Sequence, residues 1–77
     1  MEIFDLLEKI NAMDKNNDYL VTKIAGDYVV VRINLPTDER YDIAFANTER
    51  RLRITLEGIY DEVSLFFTVF THGYTTT

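Results

Sequence analysis

Carboxylates are the side chains of this chain best supplied for chemistry, and they gather where the chain is expected to turn. Asp14 and Asp18 bracket a polar run, Asp38, Glu39 and Asp42 surround the turn that begins at Pro36, and Asp61 and Glu62 follow Gly58. Thirteen acids against eight bases give a net charge of -5. Carboxylates spread over a small rigid scaffold can fill a groove that normally takes phosphates, through charge-assisted hydrogen bonds to arginine and lysine. The same balance disfavours nonspecific binding to nucleic acid or to anionic lipid. Catalytic sets are poorly supplied. His72 is the single histidine and stands beside Gly73, far from any expected orienting acid. There is no cysteine, no metal-ligand spacing and no glycine-rich phosphate loop. The residues therefore point to a protein that binds rather than catalyses, with neither cofactor nor metal.

A second set of residues could carry contacts. Arg50, Arg51 and Arg53 form a basic cluster, and the run from Val63 to Thr71 holds Phe66, Phe67 and Phe70. Read as a strand, that run is apolar on both faces, because strand side chains alternate sides. One helix covers only one face of a sheet. Phe66 and Phe70, sharing the other face with Tyr28 and Arg32, are then expected to meet a second copy of the chain or a partner. Arg32, Arg51, Arg53, Phe66 and Phe70 together would also suit single-stranded nucleic acid. The acidic balance and the lack of an RNA-binding signature oppose that alternative, so no direct nucleic-acid contact is expected.

These residues need elements to hold them. Ile3, Leu6, Leu7, Ile10 and Met13 follow the helical i, i+3, i+4, i+7 pattern, which predicts an amphipathic helix over 2–13 with Phe4 widening its apolar face. Strands are expected at 19–25 and 28–35, joined by a Gly26-Asp27 turn, and at 41–46. Leu52, Ile54 and Leu56 alternate with Arg51, Arg53, Thr55 and Glu57, which predicts a fourth strand over 51–57. The richness of 63–71 in Val, Phe and Thr predicts a fifth, although Ile59, Glu62, Val63 and Phe66 would also suit a helix. Residues 72–77 read as a tail. The expected fold is α+β: an N-terminal amphipathic helix packed on an antiparallel meander of about five strands. The face beneath the helix is expected to hold Val29, Val31, Ile33, Ile43, Phe45, Leu52, Ile54, Leu56, Leu65 and Phe67.

Seventy-seven residues, 47% of them hydrophobic, make one globular domain with a thin core. A basic N-terminal region followed by an apolar run is absent, so no signal peptide is expected. No stretch has the length to span a bilayer. With no cysteine, the chain suits a reducing compartment, and a cytoplasmic location is expected.

The N-terminal half resembles a known family. Met1, Ile3, Asp5-Leu6-Leu7 and Ile10, then Asp18-Tyr19, Lys23-Ile24-Ala25-Gly26, Arg32-Ile33-Asn34, Tyr41 and Ile43, are similar to small phage-encoded anti-CRISPR inhibitors of type II systems. The resemblance covers about residues 1–45. It implies an N-terminal helix followed by a three-stranded sheet. It also implies blockade of an RNA-guided DNA nuclease at the site that reads the short DNA motif beside the target, with acidic side chains standing in for DNA. By position it implies that Asp18, Tyr19, Asp38 and Glu39, with Asp42 nearby, contact a CRISPR effector nuclease or another host defence protein. It gives no counterpart for Arg50–Arg53 or the phenylalanine-rich run, since that family ends in acidic helices.

Overall fold

The computed structural model describes residues 2–75, and the side chains of residues 2–67. The order is α1 (Ile3–Met13), β1 (Asn17–Ile24), β2 (Asp27–Asn34), β3 (Glu39–Ala46) and α2 (Glu49–Thr75). The three strands form one antiparallel sheet in the order β1-β2-β3. The α+β class stands, with three strands in the described residues where about five were expected, and a long helix in place of the last two and of residues 72–75.

Local chemistry accounts for α2. Thr48 caps it: its Oγ1 accepts from the Arg51 N–H at 3.1 Å and its carbonyl from the Leu52 N–H at 2.9 Å. Glu49 lies in the first turn, where a carboxylate suits the positive end of the helix dipole. Leu52, Leu56, Ile59 and Val63 then recur every three or four residues and face the core, Leu52 and Leu56 fully buried. Ile54, the middle member of the apparent alternation, is 58% exposed. The alternation was two residues of a helical face plus one on the helix's wet side.

The β1–β2 turn lies one residue earlier than expected. Ala25 (φ 52°) and Gly26 (φ 86°) are its central residues, both left-handed, as a type I′ hairpin requires. No atom lies within 4 Å of a Cβ placed on Gly26, so a substitution there meets only backbone strain. Gly26→Ala is expected to destabilise by about 1–2 kcal/mol. Ala25→Asn, which restores the favoured Asn-Gly pair, should stabilise by roughly 0.5 kcal/mol. Urea unfolding of the two variants checks both signs.

The sheet turns the opposite face to the helices from the one expected. Leu6 and Ile10 of α1, Tyr19 of β1, Val30 of β2, Ala46 of β3, and Leu52 and Leu56 of α2 form one buried cluster, with Val21, Tyr28, Ile43 and Ala44 packed against it. Val29 and Val31 belong to the other face, and Phe45, 64% exposed, is there too. Small Ala44 and Ala46 let α2 approach β3 closely, which larger side chains would prevent. A bulge opposite Val30 and Val31 makes Ile43 an extra residue in β3, so that Ile43 and Ala44 both turn to the helices. Val29 and Val31 are nonetheless almost sealed, at 1% and 0% exposure. Their cross-strand neighbours cover them, Thr22 and Phe45 beside Val29, Leu20 and Asp42 beside Val31. Phe4, expected in the buried stripe of α1, is 78% exposed.

Candidate functional site

The connectivity brings separated acids to one end of the sheet. α1 ends at Met13 and β1 begins at Asn17, while the β2–β3 turn occupies 35–38. Asn17 pairs with Asn34 and Asn34 with Glu39; Asp18, Ile33 and Arg40 form the next row. Asp18, Asp38 and Glu39 therefore share one edge of the molecule, and all three are exposed. Asp42 is exposed on the face away from the helices, level with Val31.

The turn that carries Asp38 and Glu39 is held internally. Asn34 Oδ1 accepts from the Thr37 N–H at 3.2 Å and from the Thr37 hydroxyl at 3.1 Å. The Asp38 N–H donates to the Asn34 carbonyl at 2.7 Å, and the Leu35 N–H donates to the Asn16 carbonyl at 2.9 Å, joining the two loops. Asp38 has φ 61°, a left-handed conformation that Asp tolerates better than most residues. Glu39 accepts from the Tyr41 hydroxyl at 2.7 Å, and that hydrogen bond raises the Tyr41 pKa.

Tyr19 has a different place from its neighbour Asp18. It points to the helices and is 6% exposed. Its hydroxyl donates to Asp14 Oδ2 at 2.7 Å, and its backbone is clamped by Asn11 of α1: the Tyr19 N–H donates to Asn11 Oδ1 at 2.7 Å, and Asn11 Nδ2 donates to the Tyr19 carbonyl at 3.0 Å. One carboxamide thus does for this edge of β1 what a fourth strand would do. The sequence reading passed over Asn11. Its signal was an asparagine inside a helix, where it is a poor former without a specific bond to make. Asp14 also takes the Asn17 Nδ2–H at 2.9 Å and the Asn16 N–H at 3.2 Å, so it organises the loop.

Across the three strands, Tyr19, Arg32 and Tyr41 stand in one row on the helix side. The Arg32 guanidinium lies 5.3 Å from the centre of the Tyr41 ring. At the other end of the hairpin the Lys23 ammonium lies 4.9 Å from the centre of the Tyr28 ring. Beside the row a groove of about 890 Å³ opens, with Tyr19, Arg32 and Ile43 in its floor and Ile59, Val63 and Phe66 along its α2 wall. Tyr28, Arg32 and Phe66 therefore do not share an outward sheet face. Tyr28 and Arg32 lie on the helix side of the sheet, and Phe66 is a helical residue, 71% exposed. Phe70 and His72 belong to α2, and their side chains lie outside the described residues. Arg51 and Arg53 are exposed near the start of α2, Arg51 beside Phe45, in a different surface depression from Arg32 and Phe66. Of the residues expected to bind single-stranded nucleic acid, Arg51 thus lies in a different depression from Arg32 and Phe66.

Burial, then the Asp14 hydrogen bond and charge, push the Tyr19 pKa up to about 12, against a smaller opposing effect of Arg32. A phenol whose folded pKa is raised holds its proton more tightly when folded. Its contribution is complete below the unfolded value near 10 and is lost as pH rises through about 12. The whole shift corresponds to about 2.7 kcal/mol. Tyr19 borders an open groove, so a loss of roughly 1–2 kcal/mol is expected. Denaturant unfolding at pH values across that window should show the decline, and Tyr19→Phe should flatten it.

Among the described residues, no group of three or more His, Cys, Asp or Glu is placed to hold a metal ion. No helix of the described residues is long and apolar enough to cross a membrane. No protein-family model, curated protein or solved structure matches the chain.

Proposed function

We propose that the protein is a non-enzymatic inhibitor that occupies a basic, DNA-reading site of a CRISPR effector nuclease, with carboxylates in place of phosphates. The observation that carries this reading is the exposed acidic end, where Asp38 lies in, and Asp18 and Glu39 stand beside, a hydrogen-bonded pair of loops. Preorganised carboxylates lose little conformational freedom on binding, so more of each charge-assisted bond appears as affinity. A helix followed by three antiparallel strands, the order that the resemblance implies for the N-terminal half, is compatible with it. In this scheme Asp18, Asp38 and Glu39 bond the target's arginines and lysines. Asp42 extends the acidic surface onto the open face, and Tyr19, bonded to Asn11 and Asp14, anchors the start of β1 beside Asp18. The protein acts in the cytoplasm of the bacterial host.

The test is capture of a purified type II nuclease by the immobilised protein, with and without guide RNA. Capture that weakens as salt is raised, with loss of DNA cleavage, supports the reading. Failure to capture nuclease in either state would sink it.

A second reading, a homodimeric interaction module, draws on the far part of α2. Leu65, Phe66 and Phe67 are 66%, 71% and 49% exposed in consecutive positions, more apolar surface than one covered helix face needs. Sedimentation of the free protein separates the two: a concentration-dependent dimer without nuclease capture favours the module.

A further inference from the structure

The groove beside the Tyr19–Arg32–Tyr41 row holds a cation that the fold leaves incompletely satisfied. Arg32 Nε is sealed from solvent and has no hydrogen-bond partner among the described residues. The guanidinium is stacked against Tyr41 and borders the groove. Two carboxylates also line that groove, Asp14 and Glu62. Asp14 is already occupied, accepting from the Tyr19 hydroxyl, the Asn17 amide and the Asn16 N–H. Glu62 on α2 and Lys15 on the facing loop are both exposed at the groove's border. Arg32 is the base that lies in the floor of the groove, between its apolar walls. Around it the walls are apolar: Met13, Ile43, Ile59, Val63 and the two phenylalanines.

We propose that this groove is a binding site for an amphiphilic carboxylate, an anionic head on an apolar body. The head pairs with the part of the Arg32 guanidinium that borders the groove, in a charge-assisted contact. The body lies along Ile59, Val63 and Phe66. The groove's size falls within the range of small-ligand sites, roughly 300–1,000 Å³. A neutral amphiphile loses the charge-assisted bonds, and a cationic one meets Arg32 as a like charge. The site is separate from the exposed acids of the inhibitor reading and does not depend on it.

The test uses the full chain, isotopically labelled and titrated by NMR with decanoate, decanol and decyltrimethylammonium below their aggregation concentrations. Decanoate is expected to bind at least tenfold more tightly than decanol and to shift the amides of residues 13–19, Arg32 and residues 59–67. Arg32→Met should reduce decanoate to the level of decanol. Phe66→Asp, at a position 71% exposed, should weaken decanoate tenfold or more, and full decanoate affinity in this variant would equally overturn the proposal, which keeps the test decisive if Arg32→Met fails to fold. Equal affinity for decanoate and decanol, shifts confined to another surface, or full decanoate affinity in folded Arg32→Met would each overturn the proposal.

Discussion

Leu52→Ala and Leu56→Ala are each expected to destabilise the protein by about 2–5 kcal/mol, while Ile54→Ala changes stability by less than about 0.5 kcal/mol. Leu52 and Leu56 are 2% and 0% exposed and lie in the cluster that joins α1, the sheet and α2. Truncating either loses its transfer free energy and leaves a cavity in a domain whose total stability is of order 5–10 kcal/mol. Ile54 is mostly in solvent, and alanine is the better helix former, which offsets its small loss of contact. The three substitutions separate a helix from a strand by stability alone, since a strand would make their costs similar. Ile54→Pro sharpens the contrast, because proline inside a helix costs about 3 kcal/mol or more. Urea unfolding with a two-state fit gives all four values. Equal losses at Leu52, Ile54 and Leu56 would refute the helical assignment of this segment.

The first 46 residues were legible because their signals are local and agree with one another. The apolar spacing of α1, the glycine of the first hairpin and the acidic second turn each fix an element without reference to the rest of the chain. The second half was not legible by the same means. Leu52, Ile54 and Leu56 fit both a two-residue and, in part, a helical period, and the β-formers of 63–71 tipped the balance. Thr48 held the deciding information. A capping threonine followed by Glu49 starts a helix, a signal that the apparent alternation over 51–57 outweighed. The choice of inner face failed for a related reason. β2 carries Val29, Val30 and Val31 in succession, so its pattern offers two apolar faces. Selection falls to Ala44 and Ala46, whose small size matters only once a second helix must lie over β3.

The candidate sites divide along the same line. The gathering of Asp18, Asp38 and Glu39 follows from an N-terminal helix joined to a three-strand meander, in which alternate turns return to the same end. Those residues could be chosen from the sequence before their distances were known. The Arg32 groove could not, because it needs α2 as a wall, and a strand at 63–71 would have sent Phe66 elsewhere. Tyr19 combines both cases. Its position beside Asp18 is read from the chain, but its burial depends on Asn11, eight residues away on another element. A buried residue and an exposed one look alike in sequence when they are adjacent in a strand.

Under the proposed inhibitor function, Asp38→Gly combined with Glu39→Gln is expected to weaken nuclease binding at least a hundredfold while leaving the fold within about 0.5 kcal/mol of wild type. Asp38 has φ 61°, so glycine retains the backbone at no strain and removes only the carboxylate. Glutamine at 39 preserves an acceptor for the Tyr41 hydroxyl, which Glu39 now accepts at 2.7 Å. The variant therefore deletes two charges from an otherwise intact turn, and a loss of binding reports charge rather than shape. Truncating one member of a desolvated ion pair costs about 2–5 kcal/mol, much of it from the partner's charge left buried and alone. Two such losses that are partly coupled give roughly 3–4 kcal/mol, or about a hundredfold or more. Asp5→Asn with Glu8→Gln removes the same net charge from exposed positions on α1, where a change of less than about threefold is expected. The salt dependence should flatten for the Asp38/Glu39 variant and stay steep for the α1 control. Equal weakening by both pairs would mean that net charge alone drives association. Undiminished binding by the turn variant would remove Asp38 and Glu39 from the interface and transfer the test to Asp18 and Asp42 on the adjoining rows of the sheet.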